Sequence, residues 1–310
     1  MKFIIKYSPI ISLFTLLFAI GIHTPQFLQI STFIIIAEDA ATLFIMSTGI
    51  FFVIMLGGID LSVQSIASLC SVILALCLPQ FGYFSFLIAI LIGAIFGFIS
   101  GYFHVTLKIP SFIATLATGG IAASLSLVIT NASSIQILQK EKHYISWITD
   151  TSFYIPNELL VSFFIFILCW FLINFTKFGR YVTSIGAGEA VAWTSGIDVK
   201  LNKYFALILS ASLAAISGIV LSSRMSAGSP TLANEFLLPA IAAVIIGGTA
   251  LTGGVGSIQR TLIGVLIISV LRIGMTFIGI NIFAQQLVFG CMLIIAVALT
   301  IDRSKIPIVK

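Results

Sequence analysis

The sequence predicts an all-α polytopic membrane protein, a bundle of about ten transmembrane helices forming a single transmembrane domain over 1–310. Three observations predict it. Only 8% of the 310 residues are charged and 59% are hydrophobic, against roughly 25% charged in soluble domains. Mean hydropathy is +1.20. The apolar residues also lie in continuous charge-free runs, not in the alternation of a lipid-facing strand, which selects helices over a barrel. Ten carboxylates and fifteen Lys/Arg cannot cover a soluble surface of this size, so a soluble enzyme is excluded.

Taken in order, Lys2 and Lys6 followed by the apolar run from Ile10 to Ile22 have a signal peptide's outline. His23-Thr24-Pro25 offers no small-x-small cleavage site, so 7–23 reads as a retained first span. The next spans fall near 34–57, 61–78, 83–105 and 110–130. The run 61–107 is too long for one crossing of about 20 residues, and Leu78-Pro79-Gln80-Phe81-Gly82 supplies the break. The polar stretch 131–158, with Tyr144, Trp147, Tyr154 and Pro156, suits a short interfacial segment on the outer face. Spans at 159–176 and 204–223 flank a second loop, 177–203. Spans at 236–253, 260–279 and 283–301 complete the bundle, the last two parted at Gly279-Ile280-Asn281.

With this division, Lys2, Lys6, Lys108, Lys177, Arg180, Lys200, Lys203, Arg260, Arg303, Lys305 and Lys310 fall on one side. Only Lys140, Lys142 and Arg224 fall on the other, and Arg272 lies within a span. Cytoplasmic loops collect Lys and Arg, so both termini and the 177–203 loop are expected in the cytoplasm. The net charge of +5 is then an orientation signal, and nucleic acid is not an expected partner.

Cys70, Cys77, Cys169 and Cys291 sit in apolar runs without CxxC, and His23, His104 and His143 are dispersed, so neither a disulfide nor a metal site is expected. No Gly-x-x-x-x-Gly-Lys-Ser/Thr loop occurs, and Gly253-Gly254-Val255-Gly256-Ser257 lacks the lysine that would reach a nucleotide phosphate. It reads as a tight cytoplasmic turn. The chain is therefore not itself an ATPase, and no catalytic residue or cofactor of its own is expected.

Three groups of residues stand out. In the inner loop, 188–196 combines helix formers around Glu189 and Ala190 with Gly188 and Gly196 at either end and Ser195 in the last turn. So short a helix is marginal alone and needs docking, either as an interfacial linker or against another protein. Glu38 and Asp39, near the outer end of the second span, have two readings: pathway-lining groups, or surface residues capping a span that begins later. Arg272 pairs with one of them, lines the channel, or snorkels to the surface. Finally, Gly57-Gly58-x-x-Leu61-Ser62 recurs as Gly247-Gly248-x-x-Leu251-Thr252, either the trace of an internal repeat around a pathway or a coincidence of glycines. Asp60 is expected as the N-cap of the third span.

Ordered motifs add a resemblance. Thr176-Lys177-Phe178-Gly179-Arg180, Gly186-x-x-Glu189-Ala190 and Ser195-Gly196-Ile197 look like the cytoplasmic loop of the ribose/galactose-type sugar ABC importer permeases. Gly57-Gly58-Ile59-Asp60-Leu61-Ser62-Val63, Ile109-Pro110-Ser111-Phe112-Ile113-Ala114-Thr115-Leu116 and the stretch from Ala240 through Gly247-Gly248-Thr249 to Ser257 are similar to that family's pattern, in order over nearly the whole chain. Gln64 departs from it, where such sequences often carry Gly. The resemblance implies a permease subunit in the bacterial inner membrane that conducts a sugar. Its implied partners are a cytoplasmic ABC ATPase carrying ATP and Mg, a periplasmic sugar-binding protein and a second permease chain, identical or not. It also implies that 188–196 couples to the ATPase. The rival is an ion- or proton-coupled secondary transporter, which would want an acid relay on several spans, where only Glu38 and Asp39 come close. A membrane protein with no transport role would not need the helix-bearing inner loop.

Overall fold

The computed structural model describes residues 2–152 and 154–300, with the side chains of 2–10, 23, 299 and 300 excepted. The charges at Lys2, Lys6, Arg303, Lys305 and Lys310, and with them the expected placement of the termini, lie outside those described side chains and residues.

Among the described residues thirteen α-helices follow one another: α1 (Lys2–His23), α2 (Ile30–Met55), α3 (Val63–Phe81), α4 (Phe84–Gly101), α5 (Ser111–Thr130), α6 (Lys142–Thr149), α7 (Asn157–Phe175), α8 (Lys177–Ala187), α9 (Glu189–Thr194), α10 (Val199–Met225), α11 (Leu237–Ile246), α12 (Ile258–Phe277) and α13 (Ile282–Thr300). Ten of them coincide with the ten apolar stretches. Seven are long and apolar enough to cross a membrane: α2, α3, α4 with its π-helical extension Tyr102–Thr106, α5, α7, α10 and α12. Shorter apolar helical stretches occupy α1, α11 and α13. Among the described residues only two-residue strand pairs interrupt this all-α bundle: Ile135–Gln136 with Ala227–Gly228, and Thr151–Ser152 with Ile155–Pro156.

Burial orders the helices from centre to rim. The apolar windows of α2 and α10 are each 72% buried within the chain and that of α7 only 17%, so α2 and α10 are the axis and α7 faces outward. α10 packs against α2, α3 and α4, and α12 lies against α2, α11 and α1. Small residues permit this density: a side chain on Gly218 of α10 would run into the Ala67 carbonyl of α3. The exposed leucines, isoleucines and phenylalanines of the rim are the surface a bilayer would solvate.

Four sequence expectations need correcting. α3 runs through Pro79 to Phe81, and the break comes at Gly82, whose φ is +51°. A proline in the last turn forfeits one N–H bond while Gly82 N still closes the helix on Leu78 O at 3.0 Å. The eighth span, expected over 236–253, stops at Ile246 as a ten-residue helix, about 15 Å at 1.5 Å per residue and only half a bilayer. The loop 177–203 holds an additional helix, α8. Asp60 is not a helix cap: the N-cap position of α3 is Ser62, and the Asp60 carboxylate reaches α10 instead. The polar segment 131–158 does contain a short helix, α6, with Ile145 and Ile148 buried and Trp147 exposed.

Candidate functional site at the two ends of α2

α2 carries Glu38 and Asp39 towards one end, and Gly57 and Gly58 follow directly on the other. Asp39 and Gly57 are 18 residues apart, about 27 Å along a helix axis. The pathway grouping read from sequence, Glu38, Asp39, Gly57, Gly58, Gly247, Gly248 and Arg272, therefore divides into a charged cluster and a glycine junction.

At the junction, α2 ends in a Schellman cap. Gly57 takes φ +78°, with Gly57 N on Ile54 O at 2.8 Å and Gly58 N on Val53 O at 3.0 Å. The chain then crosses to α3 in extended form, and side chains satisfy its backbone: Ile59 N donates to Ser111 Oγ and Leu61 N to Thr115 Oγ1, both at 3.0 Å. Asp60, 1% exposed, accepts from Ser62 N at 2.9 Å, Ser62 Oγ at 2.6 Å and Ser210 Oγ of α10 at 2.8 Å. Irregular backbone amid apolar helices is stable only with such partners.

α11 ends in the same way. Gly248, at φ +86°, donates to Ile245 O at 2.8 Å and Thr249 N to Val244 O at 3.2 Å. The geometric equivalents are thus Gly57 with Gly248 and Gly58 with Thr249, one residue out of step with the sequence repeat. The α2 cap also meets the turn that follows the α11 cap. Gly254 N donates to Met55 O at 2.9 Å, and a Cβ on Gly253 would lie 2.8 Å from Gly57 N.

The inner loop is wedged into this meeting point. α8 is capped by Thr176, whose side chain accepts from Gly179 N at 3.3 Å, and it buries Val182 and Ile185. Its Gly186 is packed so tightly that a side chain there would collide with both Met55 O and Gly254 N. Gly188 then separates α8 from α9, and Gly196, at φ +82°, ends α9 with Gly196 N on Trp193 O at 3.0 Å and Ile197 N on Ala192 O at 3.1 Å. The expected short helix is present as Glu189–Thr194, with Ala190 in its first turn and Ser195 at its C-cap. Ala192, Ile185 and Val199 form a small core with Leu56, the residue that ends α2. Val191 and Trp193, on either side of Ala192, are exposed at about 70% each. Glu189 pairs with Lys203 of α10 at 2.7 Å.

At the opposite end, α2 begins at Ile30, so Glu38 and Asp39 lie inside the helix, more than two turns from its start. That removes the capping alternative. Arg272 reaches Asp39 Oδ1 at 3.2 Å and Glu235 Oε2 at 3.7 Å and stacks over Phe236 with its guanidinium carbon 4.2 Å from the ring centroid. At 14% side-chain exposure it does not snorkel. Asp39 Oδ2 is buried with no partner among the described residues. Beside it lies a group the sequence reading missed: Arg224 grips both oxygens of Glu158 at the start of α7 and donates to Glu38 O at 2.8 Å and Thr42 Oγ1 at 3.2 Å. Arg224 had been read as an outer-loop cation. It is the penultimate residue of α10, directly after the stretch 204–223 that the sequence marks as a span.

The family described as "Branched-chain amino acid transport system / permease component" matches residues 32–297. The chain belongs to that family. It is 36% identical to the ribose import permease protein RbsC of Bacillus subtilis (strain 168) over 97% of its own length and 93% of the relative's. It is 32% identical to the protein of the same name from Haemophilus influenzae, over 96% and 93%. The D-allose transport system permease protein AlsC of Escherichia coli (strain K12) is 31% identical over 95% and 91%. No solved structure matches the chain. As a family member with seven long apolar helices, it is a multi-pass membrane protein.

Proposed function

We propose that this chain is the transmembrane permease subunit of a sugar ABC importer, conducting a ribose-like pentose, a hexose or a related polyol. Near-full-length similarity to permeases named for ribose and D-allose is the observation that carries this reading. In it, the chain pairs with a second permease chain in a bacterial inner membrane. A periplasmic binding protein delivers the sugar to the end bearing α6, and a cytoplasmic ATPase holding ATP and Mg docks at the end bearing α9. Both termini face the cytoplasm. The exposed Val191 and Trp193 on a six-residue helix that cannot stand alone suit a protein partner there. The charged cluster of Glu38, Asp39 and Arg272 would line the sugar's entry, where the partnerless Asp39 Oδ2 can accept from a hydroxyl.

Proteoliposomes holding the permease, its ATPase and its binding protein should accumulate radiolabelled ribose or allose only with ATP. Leucine or valine accumulation with no sugar uptake would instead follow the wording of the family description. Uptake by the permease alone on a proton or sodium gradient would restore the secondary-transporter alternative. Asp39→Asn should lower uptake at least tenfold while the chain still inserts. A cysteine at position 198 that is labelled from outside sealed cells would overturn the orientation.

A further inference from the structure

A cavity opens beside α9, between it and the α4–α5 connection. Its larger lobe, of about 670 Å3, is bounded by His104, Lys108, Glu189, Trp193, Lys200 and Lys203. A second lobe, of about 330 Å3, shares His104, Glu189 and Lys203 and runs inward to Gly57 and Gly58. Lys203 is already neutralised by Glu189 at 2.7 Å. Lys108 and Lys200 have no anionic partner among the described residues, so the larger lobe carries two uncompensated positive charges.

The cavity's depth is fixed by the chain. Lys108 lies in the short connection between the π-helical end of α4 at Thr106 and the start of α5 at Ser111. Both are membrane-spanning candidates, so 107–110 is where the chain leaves one crossing and enters the next. Lys108 also holds φ +57°, a conformation uncommon outside glycine, asparagine and aspartate. The walls between the lysines are apolar, made by Val105, Ile109, Pro110 and Val199. Tyr102, Leu107 and Trp193 around them are exposed. Aromatic and basic side chains together mark the level of lipid headgroups.

We propose that this cavity is a site for one anionic phospholipid, its phosphodiester between Lys108 and Lys200 and the root of an acyl chain against the apolar wall. A soluble phosphate compound would gain from the lysines but nothing from that wall, and the cavity lies at the boundary where basic pockets between spans meet anionic headgroups. Because the site also touches Glu189 and Trp193 of α9, a lipid there would brace the short helix along its Trp193 side, while Val191, which does not line the cavity, stays exposed. The leaflet follows from the orientation proposed above. Binding itself does not, and it is measured on the purified chain.

The chain should be purified in detergent, exchanged into nanodiscs or titrated with phosphatidylglycerol or phosphatidylcholine, and bound lipid read by native mass spectrometry. Phosphatidylglycerol should be retained at one per chain and phosphatidylcholine should not. Lys108→Asn/Lys200→Gln should lower phosphatidylglycerol affinity about tenfold; asparagine suits the left-handed backbone at 108, and an unchanged melting temperature would confirm an intact fold. Lys108→Arg/Lys200→Arg should keep binding, and Lys140→Gln/Lys142→Gln in the segment bearing α6 should leave it unchanged. Equal retention by the double neutral variant overturns the site. So does equal competition by inorganic phosphate or glycerol phosphate, which would make the ligand a soluble anion. Loss of ATPase co-purification with lipid binding unaltered would assign the two lysines to a protein contact and overturn it as well.

Discussion

The two ends of α2 solve the problem of non-helical or charged groups inside an apolar bundle by opposite means. At the Asp39 end, side-chain charges are buried and answered by other charges: Arg272 for Asp39 and Arg224 for Glu158. At the Gly57 end the charges of Lys108, Glu189, Lys200 and Lys203 line a cavity beside the junction, and within the junction Asp60 is the buried charge among the described residues. Backbone there is packed on backbone through glycines, and hydroxyls and the single Asp60 carboxylate supply the missing hydrogen bonds. The contrast implies different failure modes. Buried ion pairs contribute little net stability but are costly to break singly, because the surviving charge is stranded. A glycine junction contributes shape, and it fails when any side chain intrudes.

The largest effect is therefore expected at Arg224. Arg224→Met strands Glu158, 3% exposed, and should destabilise the chain by about 3–5 kcal/mol, as breaking a buried pair does. Thermal unfolding in detergent reads this directly. The double variant with Glu158→Met should recover most of the loss, because two apolar groups need no partner. Equal melting temperatures for the single and double variants would show that the pair is solvated and that the ends of α2 do not differ as described.

Gly186→Val probes the opposite end. Its side chain would meet Met55 O and Gly254 N, which are themselves hydrogen-bonded neighbours across the junction. Overpacking of this kind costs about 1–3 kcal/mol, and the displaced element should be α8, the least buried of the three. Transport would then fall more steeply than stability. A variant with normal uptake and normal melting would mean that α8 is free to move away from the junction.

What was legible in advance follows the same division. The ten apolar stretches were readable because hydrocarbon demands length and lack of charge, and both are local properties of the chain. α11 was misjudged as a full span because Gly247 to Gly253 is as uncharged as the helix before it, and only the positive φ of Gly248 and Gly253 distinguishes turn from helix. α8 is not expected from the sequence, where 177–203 reads as a loop with one short helix at 188–196, and Gly179 and Gly186 fall within that loop. They are helical, and small because Ile173 O and Met55 O press on them. The repeat Gly57-Gly58 and Gly247-Gly248 was visible, but the one-residue offset was not, since cap position depends on where each helix stops. The Arg224–Glu158 pair joins residues 66 apart, and neither sequence neighbourhood marks the other.

A smaller effect is expected at Gly196, which has open space around its Cα but sits at φ +82°. Gly196→Val meets no neighbour, so its cost is conformational, about 1–2 kcal/mol for a left-handed non-glycine residue. The Schellman cap of α9 should loosen and the path into α10 should shift, while ribose capture by a binding protein is untouched. ATP hydrolysis and uptake measured together in proteoliposomes should separate, with hydrolysis retained and uptake reduced. Coupled, wild-type values would reduce α9 to a linker.

The smallest effect on stability, and the sharpest test of what α9 does, is at Glu189. Its pair with Lys203 joins a glutamate side chain 57% exposed to a lysine 16% exposed, and such pairs contribute about 0–1 kcal/mol. Glu189→Lys should leave the melting temperature nearly unchanged, even though it sets two cations together. If uptake falls in that variant, two explanations compete: Glu189 holds α9 to α10 through Lys203, or it offers its charge to the ATPase. The swap Glu189→Lys/Lys203→Glu separates them. It restores the internal pair with reversed polarity but presents the opposite sign to any partner. Recovery of ATP-driven uptake in the swap would place the function of Glu189 inside the chain, as an anchor of α9 on the helix that forms the bundle's axis. Persistent uncoupling would place it on the ATPase, where charge complementarity governs docking more than it governs the stability of either partner.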